Sequence, residues 1–267
     1  MHHPRHIAMS NPSSIAEKLG VFLVGPLAVV LLLYALSNIY HVVATPSNTI
    51  PTFSEMIIAT LYTLVRIGVA YVLAVVIGVP LALLATASRT LERIFLPIFD
   101  ILQSIPILAF FPVVIVLFIQ FDFLEGAAIF ILFLNMLWNI VFNLVGGLKI
   151  IPKDVTYAAK VFGVSGFSYI RRLAIPAIFP QLVTGSILAV AEGWNLVIVA
   201  EAIHTYVPNG TSTQDLVGIG SMLVAASANA QNSVFIMALL VMVLLIAFFN
   251  LFVWQKLLHY AQRFRFD

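Results

Sequence analysis

Six stretches of this chain, 19–40, 56–87, 96–119, 126–148, 180–202 and 234–254, are apolar almost without interruption. Each has at least about 20 residues, enough to cross a hydrocarbon core about 30 Å thick. Lipid offers no partner for a peptide N–H or C=O, so a spanning segment must be a helix or part of a closed barrel. Unbroken apolar runs, without the alternation of a barrel strand, predict an all-α, polytopic membrane protein of about six transmembrane helices. With 62% hydrophobic and only 9% charged residues, the composition excludes a water-soluble domain, in which about a quarter of residues are charged. The run 56–87 is too long for one straight crossing, which predicts tilt or an extension with a kink at Gly78 and Pro80. The chain has no cysteine, so disulfides, thiolate metal sites and cysteine redox chemistry are excluded.

Basic residues give the orientation, because Lys and Arg concentrate in short cytoplasmic loops. Arg5 and Lys18 precede the first span, Arg89 and Arg93 follow the second, Lys149, Lys153, Lys160, Arg171 and Arg172 follow the fourth, and Lys256, Arg263 and Arg265 follow the sixth. With six spans all of these fall on one side, and Arg66 is within a span. The opposite connections carry Asp122, Glu125 and Asp215 and no Lys or Arg. Both termini are expected in the cytoplasm. The expected organisation is a cytoplasmic tail (1–18), a first helix and outer loop (19–54), a five-helix core (55–254) and a cytoplasmic tail (255–267). The first run lacks a small-x-small cleavage site and reads as a retained anchor. The histidines at 2, 3 and 6 have no regular ligand spacing and read as part of a short tail.

The loop 149–179 holds five basic residues and one acid, Asp154, in the stretch 149–172. Pro152 opens a predicted helix in which Val155, Ala158, Ala159 and Phe162 form an apolar stripe for packing. Gly163 and Gly166 then punctuate a turn, and Phe167, Ile170 and Leu173 start a second amphipathic turn expected to end before Pro176. The product is a helix–turn–helix lying across the membrane face. On physical grounds alone it is equally a basic loop with a surface helix.

This segment resembles the docking loop of binding-protein-dependent ABC importer permeases, whose signature is Glu-Ala-Ala, three residues, Gly, nine residues, then Ile-x-Leu-Pro. Ala158, Ala159, Gly163 and Pro176 fall in register, with Leu173 and Ile175 at the aliphatic positions. Tyr157 replaces the family's Glu, so that carboxylate's contact does not carry over. Likeness extends over about 55–254 to the nitrate, sulfonate and taurine branch. It includes Thr63, Leu64, Val65 and Arg66 running to Gly78, Val79, Pro80 and Leu81, then Ser104-Ile105-Pro106 with Phe111-Pro112, and Val199-Ala200-Glu201 with Gly218-Ile219-Gly220. The resemblance implies the type I, methionine-permease-like fold and a subunit of an ATP-driven importer for a small, anionic solute of the nitrate, sulfonate, taurine or bicarbonate type. The implied partners are two ABC ATPase subunits, a second permease chain (identical or a close paralogue), an extracytoplasmic substrate-binding protein or fused binding domain, and membrane lipid, with no nucleic acid. The implied ATPase-docking residues are Tyr157, Ala158, Ala159, Lys160, Gly163, Val164, Ser165, Gly166, Arg171, Arg172 and Pro176. No cofactor is expected on this chain, since ATP and Mg2+ would sit in the ATPase. Consistent with that, the sequence has no G-x-x-x-x-G-K-[ST] phosphate loop and no visible catalytic set.

Charged groups within spans are costly unless they face a cavity or a partner. Counted along the helices, Arg66 and Glu192 both come near mid-membrane, where they are read either as an anion-attracting path or as a structural ion pair. Glu192, Trp194, Asn195 and Glu201 are candidates to line a solute path, or to bond between helices, with Glu201 at the interface. Asn135, Asn139 and Asn143 form a polar stripe expected at a helix or subunit contact. The outer loop 203–233, with a short helix over 216–228, is long enough to meet a binding protein. An ion-driven carrier would also explain intramembrane Arg and Glu, but it predicts inverted repeats, and none is visible. A non-transporting membrane scaffold is the third reading.

Overall fold

The computed structural model describes residues 53–206 and 215–264. The predicted first span, the tail before it and part of the outer loop lie outside the described residues. Every described element is helical. They are α1 (Phe53–Thr86), α2 (Arg89–Ser104), α3 (Ile107–Gln120), α4 (Leu124–Ile150), α5 (Lys153–Val161), α6 (Gly166–Tyr169), α7 (Ile175–Glu201), α8 (Ile219–Ala228), α9 (Asn232–Phe248) and α10 (Gln255–Ala261). Four continuous helical runs are long and apolar enough to cross a membrane: α1, α4, Gly166–Glu201 and Asn232–Phe264.

The core is α4 packed between α1 and α7. Lipid tails are as apolar as leucine, so helices associate in a membrane by close van der Waals fit rather than by water exclusion. Small residues make that fit possible. The buried face of α1 carries Ala59 and then Ala70, Ala74, Gly78, Ala82 and Ala85, the last five at three- and four-residue spacing. A Cβ at Gly78 would stand 3.1 Å from Ile140 Cγ2. On the other side of α4, Gly185 of α7 lies against the Asn139 carbonyl and Asn143, a Cβ there falling 3.2 Å from that oxygen. The asparagine stripe therefore lies at a helix contact, and Asn143 Nδ2 turns back to donate to Asn139 O at 2.7 Å. The helix α1 runs on through Gly78 and Pro80.

Three expectations are corrected. The third span is not one helix: α2 and α3 meet at an 83° elbow. Pro106 supplies no N–H and disfavours helical geometry at the residue before it, and Ile105 is extended at φ −72°, ψ 125°. The second amphipathic turn of the loop 149–179 does not end before Pro176. Instead α6 passes through a π-helical turn, Ile170–Ala174, into α7, with Pro176 just after that turn, so the helical run continues through the proline. Residues after Trp254, expected as a tail, continue the helix to α10. There Tyr260 and Phe264 pack edge-on against Phe179 of α7 at 5.9 and 5.3 Å between ring centroids.

Candidate functional site

Arg66 is on the buried face of α1, 1% exposed. It is paired neither with Glu192 nor with a vacant path. Its Nε and Nη2 donate to the two oxygens of Glu125 at 2.6 and 2.7 Å, and its Nη1 donates to Glu201 Oε1 at 2.6 Å. Glu125, expected in a loop, is in the first turn of α4, and Glu201 is the last residue of α7. Arg66 is thus level with the ends of α4 and α7 remote from the docking loop, not with their middles. Glu192 cannot join them. Nine residues of helix separate it from Glu201, a rotation of about half a turn at about 100° per residue and about 13 Å along the axis.

The Glu201 carboxylate is fully buried, and each oxygen accepts two hydrogen bonds. Oε1 takes the Thr63 hydroxyl at 2.7 Å besides Arg66. Oε2 takes the backbone N–H of Gly220 at 2.7 Å and of Ser221 at 3.4 Å. Thr63 Oγ1 in turn accepts from the Ile219 N–H at 3.0 Å. The free donors at the start of α8 are therefore satisfied by α1 and α7, in the polarity a helix N-terminus favours. The approach needs glycine: a Cβ at Gly218 would overlap the carboxylate, and one at Gly220 would come within 2.7 Å of Ile198 Cα. Sequence reasoning placed Glu201 on a solute path or at an interface; the structure puts it inside a latch that fixes α8 to the bundle. Beside the latch, Asp215 accepts from the His204 backbone N–H at 3.0 Å and contacts His204 Nδ1 at 2.7 Å, closing the ends of the outer loop.

At the opposite end of the bundle, α5 ends in a Schellman turn. The Val164 N–H donates to Ala159 O at 2.8 Å and the Gly163 N–H to Lys160 O at 3.0 Å, with Gly163 at φ +72° as that motif requires. Gly166, at φ +55°, starts α6. The predicted apolar stripe is corrected in part. Ala159 is buried and Val155 half-buried, but Ala158 and Phe162 face outward, because the helix ends at Val161 and Phe162 leaves its register. Val161 is 84% exposed and Phe162 82%, beside exposed Tyr157 and Phe167. Lys160, Ser165, Gly166, Arg171 and Arg172 are also exposed; Val164 and Pro176 are half-buried.

The candidates on α7 divide by face. Trp194 and Glu201 are buried, whereas Glu192 and Asn195 are exposed in line with Thr184, Leu188 and Ala191. Gly193 abuts the Met136 methyl, which sets Glu192 level with the middle of α4. The sequence reading overlooked Asp100, which is exposed one turn before the elbow. A cavity of about 500 Å³ opens at that elbow, lined by Gln103, Ser104, Pro106, Asn135 and Trp138 among others. Arg66, Glu192 and Asn195 are not brought together.

Bundle, elbow and latch define an all-α polytopic membrane protein of the importer-permease fold. The family of binding-protein-dependent transport system inner membrane components matches residues 74–258, and the chain belongs to that family, one of transport subunits rather than enzymes. Over 144 residues it is 31% identical to the bicarbonate transport system permease protein CmpB of Synechococcus elongatus, covering 54% of this chain and 51% of that one. It is 29% identical over 178 residues to the nitrate import permease protein NrtB of Leptolyngbya laminosa, covering 67% and 59%. With the taurine transport system permease protein TauC of Escherichia coli it shares 26% over 141 residues, 53% and 50% of the two chains. The chain spans about half the length of the curated relatives it matches. A solved structure of the MetNI methionine ABC transporter, inward facing, matches with a TM-score of 0.61 at 19% identity, over 80% of this chain and 99% of that one, and shows the fold.

Proposed function

We propose that this chain is the permease subunit of an ATP-driven importer for a small solute of the kind its relatives' names print: bicarbonate, nitrate or taurine. The observation that carries the reading is the docking loop. Large apolar side chains at 82–84% exposure on a turn fixed by Schellman bonds are costly in water and mark a contact surface. The surrounding Lys160, Arg171 and Arg172 put that surface in the cytoplasm by the positive-inside rule. There an ATPase subunit would receive Tyr157, Ala158, Val161 and Phe162 in a surface cleft, with ATP and Mg2+ held by the ATPase. Two permease chains would enclose the path, with an extracytoplasmic binding protein delivering solute at the α8 end.

The continuous run Gly166–Glu201 supplies the lever. At about 1.5 Å per residue it is about 54 Å long, joining Phe167 at the docking end to Glu201 in the latch. Motion of the loop on ATP-driven closure would reach the α8 end through one rigid element. The two carboxylates on Arg66 account for that buried cation without an ion-driven carrier, though they leave Glu192 unpaired among the described residues. Because the chain has no cysteine, Val161→Cys is a unique handle. Expressed with its ATPase, that variant should form a short-reagent cross-link to the ATPase. A cross-link no stronger than that from Leu244→Cys, exposed on α9, refutes the docking assignment.

A further inference from the structure

We infer that the solute carries a cationic group, a protonated amine or a zwitterion's ammonium, and that Glu192 is the residue that selects it. The inference rests on the permease reading and narrows its substrate class.

The first ground is the fate of the positive charge. Among the described residues, Arg66 is the sole Lys or Arg away from the docking end of the bundle. Its guanidinium is buried between two carboxylates, bidentate with Glu125 and bonded to Glu201. The three side chains sum to one negative charge, so nothing there attracts an anion. The second ground is the fate of the negative charge. Glu192 is exposed on α7 at mid-bundle height, and its carboxylate makes no ion pair or hydrogen bond within the described residues. A carboxylate at that depth is not left against lipid; it faces a partner chain or water. Thr184 and Asn195 are exposed on the same side of α7, with Leu188 and Ala191 between them, so Glu192 belongs to a strip of mixed polar and apolar groups of the kind that lines a path. Asp100, one turn before the elbow, is also exposed. A small anion entering this strip meets like charge, and an ammonium meets opposite charge. Of the solutes named for the relatives, taurine alone bears one.

The test reads the sign of the local charge directly. Asn195→Cys, one turn from Glu192, supplies the only thiol in the chain. In membranes carrying the full transporter it is reacted with a cationic (trimethylammonium-ethyl) or an anionic (sulfonato-ethyl) methanethiosulfonate, each forming a mixed disulfide and releasing methanesulfinate. Side chains three apart on a helix are about 5–6 Å apart. At that range in a water-like dielectric, one charge favours the cationic over the anionic reagent about tenfold. The rate ratio, normalised to a free thiol in solution, should be about ten with Glu192. It should fall to about one in Glu192→Gln and invert in Glu192→Lys. A ratio unmoved by Glu192→Gln, or a thiol inert to both reagents, overturns the inference. Adding ATP and vanadate tests the parent reading separately: absolute rates unchanged by nucleotide would count against coupling to an ATPase while leaving the charge ratio valid.

Discussion

Replacing Arg66 by methionine should destabilise the protein more than replacing Glu201 by alanine, although each change removes one partner of the same 2.6 Å pair. In Glu201→Ala, Arg66 keeps its bidentate Glu125, so no buried charge is orphaned. Arg66 Nη1 and the Ser221 N–H, the latter at 3.4 Å, also lose an acceptor, but the main loss is at the Thr63 hydroxyl and the Gly220 N–H, each left without an acceptor at about 1–3 kcal/mol. Bonds between membrane helices average only about 0.6 kcal/mol, which sets the expected total at the low end, about 2–3 kcal/mol. In Arg66→Met, by contrast, Glu201 stays fully buried with no counter-charge, near a second carboxylate. Breaking a buried pair this way costs about 3–5 kcal/mol. Glu201→Gln should not be benign either. Both oxygens accept only, so either amide orientation sets an NH2 against a donor. The assay is apparent melting temperature in detergent for both single variants and for Arg66→Met with Glu201→Met. The double variant should recover at least about 1 kcal/mol relative to Arg66→Met alone. If Arg66→Met melts no lower than Glu201→Ala, or the double variant recovers nothing, the charge argument is wrong.

Gly220→Ala should cost about 1–3 kcal/mol by overpacking, since its Cβ would meet Ile198 Cα at 2.7 Å and Glu201 Oε2 at 2.8 Å; the same melting assay reads it, and a neutral result would contradict the latch geometry. Gly78→Leu should separate α1 from α4 and lower the melting temperature by a similar amount, because its Cβ alone already stands 3.1 Å from Ile140. Glu192→Gln, at an exposed position with no partner among the described residues, should change stability by less than about 0.5 kcal/mol; a large loss would mean that the residue is structural.

Hydropathy carries the spans, because the demand that lipid makes on the backbone is written in every residue of a crossing. It does not carry direction. The elbow after Ser104 is apolar on both sides, so a hydropathy window sees one segment, and the signal that was available is Pro106 with its effect on Ile105. Pro176 shows the opposite error: read as a terminator, it sits just after a π-turn that carries the helix through. Gly163 marks the turn after α5, since the left-handed residue there demands glycine. Which carboxylate meets Arg66 was not legible. Glu192 and Glu201 face opposite sides of α7, so at most one could serve, and pattern alone does not rotate α7 against α1. Glu125 lay hidden because the edge of an apolar run does not mark the first turn of a helix. The resemblance includes the segments that hold Glu201 and Gly218 with Gly220, but not their pairing; the close approach that needs those glycines is a tertiary fact.

The account turns on the docking loop as the link to an ATPase, and the most direct measurement is co-purification of the ATPase with the wild-type chain and with Phe162→Glu. Phe162 is exposed at the tip of the loop, so the change leaves the bundle intact, and melting temperature verifies this. The account predicts that the wild-type chain retains the ATPase and that Phe162→Glu loses it; equal retention by a folded Phe162→Glu would contradict it.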